Sequence, residues 1–591
     1  MKPYTFIFLF FATCLCTFAC NKNELNQPAI GVLSDADLAN KQGVEALLIG
    51  AYSELDLMST NSLGAGAAAS NWMYGTICGS EAHTGGAGLD DRPEIVSLEL
   101  FTYDANNIRL EEKWQGVYDG VERTNSVLRM MRKAKDMTRE DTIEVRAEAL
   151  FLRAYFHFEA KKIWNKIPFV DESVTYDAKN YFIPNDTSWS KIENDLNYAV
   201  GNLPLLQDAV GRCNTYTAKA LLAKVYMFEH KFQQARDLLE DIIENGVNPA
   251  GIKYALYDRY ADNFNPKFKN GSESVFAIQM SVDDGSHGSN ADIGDYFNFP
   301  NFQGGYCFSQ PSQYLVDHFR TDPNTGLPDL TEINDNSIKS DDDSLSTDSF
   351  TPDTGTIDPR LDWTVGRRGV PYLDWGVEPG RDWVRDPIDF GPYVPIKFSY
   401  YMSNQDDYTN ADNPKWGQVR LTANNLNLIR FADVILWAAE AEAETNNLDK
   451  AEQYLNLIRN RMAEHHEGWV HKYLDNDHPQ NGSYTDDAHL AANYFIKPYP
   501  DGWFLSQGLN YTLKAIRFER VLELGMEGHR FFDLVRWGTA NEEINNYLRQ
   551  EKVSRYYLNQ AKFTQPTNNY FAIPAPEIYK SNGSLIQNPG Y

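Results

Sequence analysis

Past its first twenty residues the chain has no uncharged apolar run approaching the roughly 20 residues that a bilayer-spanning helix needs, so a multi-spanning helical protein is not expected. Cysteine is scarce, six in 591 residues, and three of the six (Cys14, Cys16, Cys20) fall in the N-terminal segment. The remaining Cys78, Cys213 and Cys307 are too few and too far apart for a disulfide framework and read as packing residues. No CxxC pair, HExxH string or EF-hand loop is present, so neither a metal site nor any other cofactor is expected. GxSxG and phosphate-cradling glycine loops are missing too, and no enzyme is expected. A glycosidase would need only two well-placed carboxylates, but abundance is not placement: Asp283-Asp284 and Asp406-Asp407 lie in aperiodic stretches. Positive charge is also in deficit. With 54 Lys and Arg against 82 Asp and Glu the net charge is −28, which sets the surface against a nucleic-acid backbone.

What is present begins with Lys2 ahead of an uncharged apolar run over residues 6–19, which reads as a signal peptide, residues 1–19. Cys20 follows a small residue at the end of that run, as in a bacterial lipobox, and is the expected lipidation site. Residues 21–24, Asn-Lys-Asn-Glu, resemble the short charged tag that sends such lipoproteins to the cell surface. The rest, 42% apolar and 23% charged, is globular in composition, and residues 20–591 are read as one large domain.

Over residues 216–244 apolar side chains fall at Ala218, Leu221, Leu222 and Val225, then at Ala235, Leu238, Leu239 and Ile242, the spacing of one helix face on each side of a turn at Glu229-His230-Lys231. The arrangement returns at Val434, Trp437, Ala438 and Ala441, a turn at Thr445-Asn446-Asn447, and Ala451, Tyr454, Leu455 and Ile458. Such paired amphipathic helices resemble tetratricopeptide units, which bury their apolar faces by stacking. Residues 108–132 with 142–164, and 511–525 with 531–537, extend the series to four pairs. The helical scaffold is therefore placed mainly at 108–245 and 425–540. Between about 246 and 424 Gly, Pro, Asp and aromatics break every period, and this loop-rich region is where functional loops are expected. Within it Asp341-Asp342-Asp343 reads as a solvated, mobile tip and not a calcium loop.

The strings Arg517-Phe518-Glu519-Arg520-Val521-Leu522-Glu523-Leu524 and Gly528-His529-Arg530-Phe531-Phe532-Asp533-Leu534-Val535-Arg536-Trp537-Gly538 resemble the signature of the SusD/RagB family. So do Leu426-Asn427-Leu428-Ile429-Arg430-Phe431-Ala432-Asp433, Arg146-Ala147-Glu148-Ala149, Asp358-Pro359-Arg360-Leu361-Asp362-Trp363, Gly391-Pro392-Tyr393 and the terminal Gln587-Asn588-Pro589-Gly590-Tyr591. Physically they read as scaffold, with apolar faces beside groups that can pair or cap. The resemblance implies a mainly α, SusD-like fold with four tetratricopeptide-like pairs and a lipid anchor in the outer membrane, facing the cell exterior. It also implies a glycan ligand and a TonB-dependent, SusC-like transporter that receives it. The competing expectation is a tetratricopeptide-type lipoprotein that binds a peptide or protein.

A protein that holds sugars without reacting needs aromatic platforms beside polar groups, and at 13% aromatic residues the chain has more than a helical scaffold requires. Two loops are candidates. Residues 62–89 bring Trp72 and Tyr74 together with Asn71, Glu81 and His83 between glycine brackets, and Gly79 to Gly86 resembles a family stretch that carries acidic residues near ligand. The central insertion offers Tyr296, Phe297, Phe299 and Tyr306 in one cluster and Trp375, Arg381 and Trp383 in another. Trp72 with Tyr296, Trp375 or Trp383 is the expected surface platform.

Overall fold

The computed structural model describes residues 34–57, 65–175, 180–186, 188–330, 333, 335–410, 420–476 and 487–591. The expected leader, Cys20 and the tag at 21–24 lie outside the described residues, as do Ser62 and Gly64 of the first candidate loop.

The main helices are α1 (Lys41–Tyr52), α2 (Ile108–Met131), α3 (Arg139–Trp164), α4 (Ser190–Asn202), α5 (Thr215–Phe228), α6 (Phe232–Asn245), α7 (Phe431–Glu444), α8 (Leu448–Glu464), α9 (Leu509–Leu524), α10 (Arg530–Arg536) and α11 (Ala540–Glu551); all but α1, α4 and α11, which no period singles out, lie close to the expected bounds. Local chemistry sets their starts. At α3 the Thr138 hydroxyl accepts from the Asp141 N–H at 3.1 Å and the Asp141 carboxylate accepts from the Thr138 N–H at 3.0 Å, a reciprocal cap. The Asn214 side chain caps α5 at the Thr217 N–H, 2.9 Å away.

Each helix from α2 to α7 packs on the next, and α7 also carries α8 and α9. The two repeated pairs, α5/α6 and α7/α8, therefore stack through α6 on α7, and the small residues at their crossings, Ala235 and Ala451, are fully buried. At Gly120 of α2 an added Cβ would sit 2.4 Å from the Phe156 ring of α3, so this close approach requires glycine. The expected fourth pair behaves differently. Helix α9 lies on α7 and α8, whereas α10 packs on a π-helical turn at Trp72–Ile77 and on α11.

Between 246 and 424 the described residues form short strands and single helical turns. Strand β1 (Ala82–Gly85) pairs antiparallel with β3 (Phe308–Pro311), and β2 (Ser274–Ile278) with β4 (Leu426–Arg430), the strand that leads into α7. The Asp341-Asp342-Asp343 tip departs from expectation. Asp341 is buried and Asp342 pairs with Arg555 at 2.7 Å, leaving Asp343 alone of the three exposed.

The loop-rich half is fastened to the helices by charge. Glu519 and Glu523, one turn apart on α9, are fully buried. Arg360 bonds Glu519 at 2.6 Å, Glu523 at 3.0 Å and Asp358 at 2.7 Å. Arg430, at the end of β4, reaches Glu523 at 2.6 Å, Glu273 at 2.9 Å and Glu527 at 2.9 Å, while Arg461 of α8 bonds Glu523 at 2.6 Å. Burial alone would raise the Glu523 carboxyl, but Arg461, Arg430 and Arg360 together hold it well below the ordinary carboxylate range. A second network joins Arg520 to Asp433 and Asp533, and Arg536 to Asp533 and Glu440. The family-like strings are thus scaffold, as their chemistry implies.

Candidate functional site

The first candidate loop is interior. Trp72, Tyr74 and His83 are each 1% exposed and Glu81 is 3% exposed, which corrects the expectation that they face a ligand. The reason is steric: at Gly75 a Cβ would sit 1.8 Å from the Gly528 carbonyl, and Gly528 itself takes φ +76 with a Cβ position 1.9 Å from the Ser70 carbonyl. Only glycine at both positions lets the π-helical turn nest under the 525–530 bend, and the loop aromatics then become core. Trp72 donates its indole N–H to the Gly294 carbonyl at 3.3 Å, and Tyr74 donates its hydroxyl to the Arg109 carbonyl at 2.7 Å. Glu81 accepts from the Met526 N–H at 3.1 Å, and burial pushes its carboxyl up to about 8 against the opposing Arg530 charge. His83 lies 3.0 Å from Glu99 and 3.3 Å from Glu551; burial would lower its pKa, but the two carboxylates raise it to about 9.

Tyr296, at 1% exposure, is likewise no platform; it belongs with Phe299, Tyr400 and Leu421 to a satellite core. The half-buried Phe297, Tyr306 and Trp375 pack on that core, so the two aromatic clusters of the central insertion meet. Their meeting point at the surface is Phe302. Its ring is 4.0 Å from that of Trp383, 5.2 Å from Trp375 and 5.8 Å from the buried Tyr372. Trp375 is locked by its indole N–H on the Tyr400 carbonyl at 2.7 Å, and Tyr372 by its hydroxyl on the Pro395 carbonyl at 2.7 Å. Phe302, Trp375 and Trp383 each keep part of their surface in water, and Arg381 sits half-exposed on the same helical turn as Trp383.

Beside this ledge lies a second. Arg385 is 5.7 Å from the Tyr306 ring centre and Arg92 is 5.8 Å from that of Phe297. Arg385 also approaches Asp91 at 3.5 Å, and Asp91 in turn accepts from the Ala87 N–H at 3.0 Å. The Cys307 thiol on the Trp383 carbonyl, 3.4 Å away, ties the two ledges together. The arrangement offers apolar rings for C–H faces and a guanidinium-carboxylate border for hydroxyls, held by rigid loops. Of the residues named from sequence, Trp375, Arg381 and Trp383 lie at the first ledge, and Phe297 and Tyr306 at the second. Phe302, Arg385, Asp91 and Arg92 were missed, because no periodicity marks a loop residue that folds back onto a neighbour. Among the described residues no group of three or more His, Cys, Asp or Glu is arranged to hold a metal ion, no helix is long and apolar enough to cross a membrane, and Cys78, Cys213 and Cys307 are buried thiols.

Comparison with known proteins bears on the whole chain. A family model described as "SusD family" matches residues 272–591, and one described as "Starch-binding associating with outer membrane" matches residues 56–227. A SusD-like protein, P25, of Formosa agariphila is 23% identical over 561 residues, covering 92% of this chain and 90% of its own length. Among solved structures, a laminarin-binding SusD-like protein superposes with a TM-score of 0.64 at 22% identity, covering 93% of this chain and all of its own. The surface glycan-binding protein A of Bacteroides thetaiotaomicron, solved with laminarihexaose, gives a TM-score of 0.63 at 19% identity, covering 93% of this chain and 99% of its own.

Proposed function

The chain belongs to the SusD family, whose model matches more than half of it, and from that premise we propose that it is an outer-membrane glycan-binding lipoprotein that hands an oligosaccharide to a TonB-dependent, SusC-like transporter. The observation that carries the ligand is the ledge of Phe302, Trp375 and Trp383, whose rings keep a solvent face while Arg381 and the neighbouring Arg385 and Asp91 supply polar partners. Aromatic faces against sugar C–H groups, with charged groups selecting hydroxyls, make a binding surface and call for no catalysis. Two structurally similar proteins are described as binding laminarin or as solved with laminarihexaose, so β-glucans are the first ligands to try. The membrane association rests on the description of the second family model and on Cys20 as the acylated residue.

Affinity electrophoresis in gels containing laminarin, and in a panel of other polysaccharides, tests the reading. Retardation by at least one glycan, lost in Trp383→Ala and in Phe302→Ala, is expected. Migration unaffected by every glycan, or retardation that survives both substitutions, would sink the ledge. Incorporation of an alkyne-tagged palmitate, abolished by Cys20→Ala, tests the anchor separately.

A further inference from the structure

A second concavity, sharing no residue with the aromatic ledges, opens between the turn at 321–328 and the segment 497–511 that leads into α9, with a volume near 810 Å³. Its walls are held by a single face of α8. Glu452, Asn456 and Arg459, spaced four and three residues apart, direct their polar groups to the backbone of that segment. Glu452 accepts from the Gly502 and Phe504 N–H groups at 2.8 and 2.7 Å. Asn456 bonds both the N–H and the carbonyl of Tyr499, at 2.8 and 2.9 Å. Arg459, fully buried, donates to the Lys497 carbonyl on one wall and the Gly326 carbonyl on the other, each at 2.8 Å, and to Glu519 behind them at 2.8 Å. The opposite turn is set by Asp322, whose carboxylate accepts from the Asn324 and Thr325 N–H groups at 2.9 and 2.7 Å. A gap braced on both sides by a buried guanidinium is a preformed site and not loose packing.

The lining differs in kind from the ledges. Trp503 and Tyr511 meet edge to face, 6.4 Å apart at 73°, and make a corner instead of a flat platform. Pro498, Pro500, Pro323 and Pro328 line the same cleft, and the exposed carboxylates Asp322 and Asp335 stand at it. Ridges of proline and aromatic rings fit the left-handed, three-residue turn of an extended polyproline-type segment, whose carbonyls need no partner from the groove. Sugars would call for a broader face and amide groups, and among the described residues the lining supplies one amide side chain, Asn336. Lys497 and Arg320 line the cleft too, but Arg320 is engaged by Asp353, and the exposed Asp322, Asp329 and Asp335 outnumber Lys497, so on a chain of net charge −28 a cation at the end of such a segment is favoured.

We infer that this cleft is a second binding site, for an extended, proline-containing peptide segment with a flanking Arg or Lys, presented by a protein partner. The probe is a fluorescein-labelled octapeptide with two central prolines, flanking leucines and an arginine at each end, read by fluorescence anisotropy on the full chain. Saturable binding is expected, weakened about tenfold by Tyr511→Ala, where an aromatic anchor is lost, and about fivefold by Asp335→Lys, with less salt dependence left in the latter. Both variants should keep the parent's glycan retardation, and Asp335→Lys its melting temperature as well, whereas Tyr511→Ala gives up ring contacts with Tyr499, Trp503 and Phe504. Asp335 is exposed and caps nothing, so its variant keeps the test valid if Tyr511→Ala folds poorly. No saturation by about 1 mM peptide, a concentration reaching even millimolar affinities, overturns the inference. So does equal affinity for the parent and Asp335→Lys, or for a control peptide with both prolines replaced by glycine.

Discussion

Helix α3 and residues 296–308 are both crowded with aromatic side chains, yet they use them in opposite ways. In α3, Phe151, Tyr155, Phe156, Phe158 and Trp164 are all buried in the main core. In 296–308, Tyr296, Phe299 and Phe308 are buried while Phe297, Phe302 and Tyr306 keep part of their surface in water. The loop-rich half sends many of its apolar side chains, Phe308, Leu315, Phe319, Leu361 and Phe390 among them, into that same main core, and adds two small satellite cores, one around Tyr296 and Tyr400 and one around Tyr372 and Val394. Aromatic content therefore measures packing alone in α3, and packing together with partly exposed loop surface in 296–308. The Arg360, Arg430 and Glu523 network docks the same scaffold onto α9 beside that apolar contact.

Breaking that dock is the largest test of the contrast. Glu523→Ala removes the one carboxylate shared by Arg360, Arg430 and Arg461 and leaves three buried guanidinium groups short of a partner. Removing one member of a buried ion cluster costs about 3–5 kcal/mol, because the desolvated partners stay behind. Urea unfolding should shift to lower concentration and lose its single transition, with amides of the loop-rich half exchanging before those of α3 and α7. A single shifted transition would mean that the shared apolar core, and not the ion network, makes the two halves unfold together.

A proton-linked effect comes next and acts where the first candidate loop meets the C-terminal helices. His83 has its pKa raised from the ordinary 6.5 to about 9 by Glu551 and Glu99 against the cost of burial. Its stabilisation is fully present below about pH 6.5 and is lost as pH rises through about 9. Glu81, pushed up to about 8 by burial, holds a proton in the folded state and contributes in the same direction as pH rises. Glu523 and Glu551, both lowered, act oppositely, and their contribution is lost as pH falls below the ordinary carboxylate range. From these four groups the contribution to stability is greatest near pH ~4.5–5 and declines as pH rises through about 8 and 9, which thermal unfolding reads. On the alkaline side His83→Gln should flatten the decline by about 2–3 kcal/mol. An undiminished decline in that variant would assign it to other groups.

How far the sequence reaches into this molecule follows the same division. The bounds of α2, α5 to α8 and the stacking of the repeated pairs were legible, since a period of 3.6 residues reports a helix whose one face is buried. The docking network was half legible: Glu519, Glu523, Arg360 and Arg430 stand in the family-like strings, but no spacing reveals that residues 70 and more apart share one buried cluster. The site was the least legible. Trp72 and Tyr74 have the composition of a ligand loop, and only the Gly75 and Gly528 contact, invisible to periodicity, turns them inward. Trp375, Arg381 and Trp383 were named as loop aromatics beside charge, and the fold leaves each of them partly exposed. Phe302, which joins the two tryptophans, carries no local signal because its partners lie some 70–80 residues away.

The smallest stability effect is the one that separates the two uses of aromatic rings most sharply. Trp383 packs on Phe302 and Tyr372 at the edge of a satellite core, partly in water, and its carbonyl receives the Cys307 thiol. Trp383→Ala removes a ring whose outer surface contributes nothing to folding, so the expected loss is about 1–2 kcal/mol, below the ~3–5 kcal/mol of a fully buried tryptophan. The main-chain thiol contact is untouched by the substitution. Glycan affinity should fall by at least about tenfold, the size of a lost aromatic anchor. Paired denaturation and affinity-gel measurements on this variant therefore decide what the ring does. Large loss of stability with unchanged retardation would make Trp383 a packing residue like those of α3, and the ledge would lose its claim to the ligand.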